Sequence, residues 1–153
     1  MADDKTLPDL LPWDFAPKQV LTPERILQHQ AQLIGRKSGF RLKGYLERIV
    51  GENQVTFSLM ISAPVLNYSV RLISCSHNLE FPYPARVQSP NSRDVQRASG
   101  EEQFRDLVSK SLGSDYARSI FQSLIARIGE VEVEADEPAK ADDLDSDILS
   151  APE

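Results

Sequence analysis

Cysteine is almost absent from this chain. Cys75 stands alone among 153 residues, so no intrachain disulfide can form, and a reducing compartment, the cytoplasm, is the expected setting. Long apolar runs are missing too. The longest span a few residues, such as Leu59-Met60-Ile61, whereas a bilayer-crossing helix needs ~20 apolar residues. The opening Met1-Ala2-Asp3-Asp4-Lys5 has no basic start followed by an apolar stretch, so no secretory signal is expected. These absences predict a small soluble protein that does not enter a membrane.

Histidine is scarce as well, with His29 and His77 alone. Cys75 and His77 are two apart in a predicted strand and share a face, but zinc usually takes at least three protein ligands, and no second Cys/His pair exists. Side chains at i and i+2 on a strand lie ~6.5 Å apart, too far for a Cys–His catalytic pair. His29 falls at the edge of its helix's apolar face and reads as a half-exposed structural histidine. Gly35-Arg36-Lys37-Ser38-Gly39 has a superficial likeness to a phosphate loop, yet the P-loop glycine positions would fall on Ala31 and Arg36, and the segment leaves a helix instead of opening one. No G-x-S-x-G elbow, H-E-x-x-H helix or EF-hand loop is present. The reading is therefore non-enzymatic, with no metal and no cofactor.

What the chain does have is a divided charge. Residues 130–153 hold ten acids against Lys140, a net of −9, while the rest is mildly basic at +3. Such a tail cannot bury enough apolar surface to offset its ordering entropy and is expected to be disordered. Three parts follow: an extended leader over 1–21, broken by Pro8, Pro12 and Pro17; one domain over 22–129; and the acidic tail over 130–153.

Within the domain, Thr22, Pro23 and Glu24 are N-cap, first-turn and dipole-compatible residues that predict a helix over about 22–36, with Gly35 as its C-cap. Ile26, Leu27, Gln30, Leu33 and Ile34 form its stripe. Strands are expected over 40–50, 55–62 and 68–76, with a short edge strand over 84–88. In the first, Phe40, Leu42, Gly44 and Leu46 face one way and Arg41, Lys43, Tyr45 and Glu47 the other. In the third, alternation sets Tyr68, Val70 and Leu72 against Arg71, Ile73 and Cys75. Short connections favour an antiparallel meander. Residues 89–98 read as a loop. Ser99 and Glu102 read as a capping box before a helix that Gly113 closes. A further helix, capped by Ser114 or Asp115, ends at Gly129. The fold class is α+β: an N-terminal helix, three or four antiparallel strands, and a C-terminal helical hairpin packed on the sheet.

Two sets of candidate binding residues emerge. Trp13 and Phe15 in the leader, with Leu144, Ile148 and Leu149 in the tail, are apolar residues in polar surroundings suited to docking on a protein partner. They carry the leading expectation, an adaptor, chaperone-like or inhibitor protein. Arg36, Lys37, Arg41, Lys43 and Tyr45 form a basic cluster with an aromatic, suited to phosphates and a stacked base. They carry the alternative, nucleic-acid binding with the acidic tail as tethered competitor. The helix–three strands–helix order is similar to a double-stranded-RNA-binding domain, except that the last helix begins Gly100-Glu101-Glu102 where that family has a basic motif.

Overall fold

Thr22 opens the first helix as its type predicts. In the computed structural model, which describes residues 7–12 and 20–135, the Thr22 hydroxyl accepts the Arg25 N–H at 3.3 Å. Pro23 takes the first helical position, where its missing N–H costs nothing. Helix α1 (Pro23–Lys37) buries Ile26, Leu27 and Ala31. It ends at Ser38, three residues beyond the expected Gly35 cap.

Five strands follow: β1 (Lys43–Val50), β2 (Gln54–Ala63), β3 (Tyr68–Asn78), β4 (Ala85–Gln88) and β5 (Val95–Ala98), with a 3-10 turn at Pro64–Leu66. They form one sheet in chain order, each pair antiparallel. Helices α2 (Glu101–Leu112) and α3 (Asp115–Ala135) complete the described chain and pack with α1 on one face of the sheet. The α+β class, the antiparallel meander and the C-terminal helices on the sheet are thus as expected.

The differences have physical causes. β5 lies inside the stretch expected to be a loop. Three of its four residues are exposed and only Val95 is a strong strand former, so pairing to β4 supplies what propensity does not. Phe40 does not open β1: its backbone φ is +63° and the residue is 80% exposed. With Gly39 at +64°, it reverses the chain after α1. At the start of α2 the N-cap is Gly100, not Ser99, and Gln103 rather than Glu102 reaches back, accepting the Ser99 N–H at 2.7 Å. Gly129 does not end α3. The helix runs on to Ala135, and residues 130–135 are therefore helical, not tail.

Strict alternation also fails in β3. Arg71 pairs with Met60 but Ile73 pairs with Leu59, so Leu72 is an inserted bulge residue. The bulge moves Ile73 and Cys75 onto the face of Val70. There they join Phe57, Leu59 and Ile61 of β2, Val87 of β4 and the helices' Leu27, Phe104, Leu124 and Ile128 in one core.

α1 lies very close to β1. A Cβ on Gly44 would sit 2.4 Å from the Ala31 carbonyl oxygen and 2.7 Å from its Cα, distances no side-chain rotation can relieve. Gly44→Ala is expected to destabilise the fold by about 3 kcal/mol or more in urea unfolding. Ala31→Gly will not rescue it, because the obstructing atoms are backbone. Gly129→Ala should act oppositely, stabilising by up to ~1 kcal/mol, since its added Cβ meets nothing within 4 Å.

Candidate functional site

The segment after α1 is held by its own polar groups. The Ser38 hydroxyl accepts the Leu42 N–H at 3.1 Å and donates to the Gly35 carbonyl at 3.1 Å. The Phe40 N–H bonds the Gly35 carbonyl at 2.8 Å. This folded corner turns Leu42 inward, 2% exposed, and leaves Arg41 outside.

Between this corner and the α2–α3 junction lies an open groove of about 800 Å³. Leu33, Ile34, Leu42, Leu112, Phe121 and Ile125 give it apolar walls, and Arg36, Lys37 and Arg41 give it a cationic rim. Gln30, the polar interruption in the α1 stripe, lines it too. Leu33, Ile34, Leu112 and Phe121 are only half-buried, so their apolar surface faces the opening.

One rim cation holds a carboxylate. Arg41 Nε donates to Glu132 Oε1 at 2.8 Å and its Nη2 to Oε2 at 3.2 Å, a bidentate pair across 91 residues. The hydrogen bonds from Arg41 hold the Glu132 carboxyl below the usual glutamate range. The last turn of α3 contains no basic residue of its own, so Arg41 also offsets the negative end of its dipole. Arg36 and Lys37 make no ion pair among the described residues.

The five residues of the basic cluster do not form one surface. Arg36, Lys37 and Arg41 border the groove. Lys43 and Tyr45 pair with Ser62 and Met60 on the sheet face turned away from the helices. The expected shared strand face for Arg41, Lys43 and Tyr45 therefore does not exist, because β1 begins only at Lys43. The apolar groove walls come from α1, α2 and α3 together. Each helix had shown its own stripe, but the sequence held no sign that the stripes diverge here. Trp13, Phe15, Leu144, Ile148 and Leu149 lie outside the described residues.

Cys75 is buried at 1% exposure and desolvation pushes its thiol up to about 12, so it is neither thiolate nor nucleophile near neutral pH. His77 stacks obliquely on Phe57, with centroids 5.7 Å apart, and its Nδ1 lies 2.6 Å from the Asn78 carbonyl. His29 is exposed on α1 rather than half-buried. No helix among the described residues is long and apolar enough to cross a membrane.

No protein-family model matches the chain, and neither a curated protein nor a solved structure matches it.

Two outcomes test this geometry. Glu132→Gln is expected to lower hydrogen-exchange protection of residues 130–135 severalfold while leaving the sheet unchanged. Because pairing depresses the Glu132 pKa, its contribution is present above the ordinary glutamate value and lost as pH falls through the folded value. Acidification of the native protein should therefore reproduce the fraying. Cys75 should resist thiol reagents at pH 8 in the folded protein and react fully in denaturant.

Proposed function

We propose that the protein is a non-enzymatic interaction module, working in the cytoplasm, whose groove takes an acidic amphipathic segment of a partner protein. The observation that carries this reading is the pairing of apolar walls with a rim of three cations, one already engaged by a carboxylate from a helix. An amphipathic helix presents apolar residues at i, i+3 or i+4 and i+7 to such a groove. Acids flanking that stripe meet Arg36 and Lys37, which steer its approach and set its direction. A volume of about 800 Å³ suits a few inserted side chains.

The chain's own residues 136–153 carry the same chemistry. They hold seven acids against Lys140, with Leu144, Ile148 and Leu149 among them, and they follow Glu132 at the groove rim by four residues. In this reading they compete with the partner as a tethered segment, at high effective concentration.

The test is titration of the full chain with a labelled peptide of repeating Leu and Glu at helical spacing. Binding should weaken with salt, and each of Arg36→Glu and Ile125→Asp should weaken it by about tenfold. Removal of residues 136–153 should strengthen it. A peptide with Lys in place of Glu should not bind. Equal binding of both peptides, or of neither by either chain, would reject the groove as the site.

A further inference from the structure

The sheet face turned away from the helices carries a second arrangement, independent of the groove. Directly paired residues of an antiparallel sheet share a face, so the register assembles this side from residues far apart in sequence. One cross-strand row reads Tyr45, Met60, Arg71. Two rows along, Ile49, Thr56, Ser76, Arg86 and Arg97 align. Lys43 lies in the row on the other side of Tyr45, opposite Ser62. Glu47 is the one acid that the strands place on this face, and hydroxyl residues of β2 and β3 fill most of its centre. The core residues that meet the helices all lie on the other side.

Two features of this face favour a bound anion. Arg86 and Arg97 sit directly opposite each other on β4 and β5, and like charges in that position destabilise a sheet. Arg71 and Arg93 both line a pocket of about 360 Å³ whose other walls include Ser74, Gln88, Asn91 and Ser92. Gln88 braces that pocket by donating to the Ser92 carbonyl at 2.8 Å. None of these four arginines has a carboxylate within salt-bridge distance among the described residues. Hydroxyls beside unpaired guanidinium groups are the donors that phosphate oxygens take up.

We propose that this open face binds single-stranded nucleic acid, with one phosphate between Arg71 and Arg93, another between Arg86 and Arg97, and a base laid on Tyr45. Tyr45 and Arg71 are two strands apart, about 10 Å, so one strand can touch both. An aromatic on a flat face needs an unstacked base, which favours a single strand over a duplex. The exposed apolar residues that the register puts on this face, Ile49 and Val95, lie on opposite edge strands and form no continuous patch for an acyl chain, which argues against a lipid surface.

The experiment is fluorescence anisotropy of the full chain with a labelled uridine or thymidine oligonucleotide of about 12 residues. Single-strand binding loses affinity with a log–log salt slope of about −0.7 per phosphate contacted. Lys43 and the two arginine pairs hold three phosphates in this arrangement and therefore predict a fall of about twentyfold between roughly 50 and 200 mM salt. Arg71→Ala with Arg93→Ala should weaken binding at least tenfold and flatten the slope by about 0.7. Tyr45→Ala should weaken it about tenfold with the slope unchanged, and Tyr45→Phe should restore it. Arg36→Ala with Lys37→Ala should leave it unaltered, and circular dichroism should show all variants folded. The proposal is overturned by no binding at about 50 mM salt, by loss through Arg36 and Lys37 instead of Arg71 and Arg93, or by preference for phosphatidylserine vesicles. Inorganic polyphosphate of equal charge binding as well as the oligonucleotide, with Tyr45→Ala silent, would also overturn it.

Discussion

The backbone contact between Ala31 of α1 and Gly44 of β1 is the constraint on which the rest of the structure depends. A helix normally stands off a sheet by the depth of two side chains; here one partner contributes none. α1 is thereby pinned against an edge strand, and its far end is carried to where Ser38 can fold the chain back into Leu42. The same placement sets Arg36, Lys37 and Arg41 along one border of a groove whose other wall is α3. Further along, Leu33, Ile34, Phe121 and Ile125 line that groove.

The second constraint is the bulge at Leu72. Burying Ile73 and Cys75 is favourable; burying the Arg71 guanidinium without a partner is not. In a regular strand these three alternate on the same side. One extra residue resolves the conflict by re-phasing the strand between Arg71 and Ile73. The result is a sheet with two unlike faces: one apolar and covered by three helices, the other hydroxyl-rich and cationic. That division leaves the second face uncovered by the helices.

Charge is distributed by the fold rather than by the chain. A net +3 spread over the first 129 residues says little. Folding gathers three cations at the groove and a further set on the open face, so two surfaces of different character arise from a modest total. Arg41 and Glu132 show how the acidic end couples to the basic body. Through that pair, the helix that starts the tail is fastened to the corner that ends α1.

Local chemistry was sufficient for much of the fold. Thr22 and Pro23 cap α1, Val55, Phe57, Leu59 and Ile61 alternate in β2, and Gly113 closes α2, each for reasons confined to a few neighbouring residues. Signals of that range determine element type and the antiparallel class. They also misled where a neighbour in space overrides them. Gly129 reads as a helix end, but it adopts no left-handed backbone, and the Arg41–Glu132 pair holds the next turn. Residues 95–98 read as a loop, but β4 offers them hydrogen bonds. The basic cluster at Arg36 to Tyr45 was legible as charge and illegible as a site, because the corner at Gly39 and Phe40 sends its members to different surfaces. The sequence by itself thus determined the type of most elements and which segments carry charge. Which charges stand together was decided only by strand register, the bulge and the Ala31–Gly44 approach, since these join residues tens of positions apart that no local pattern connects.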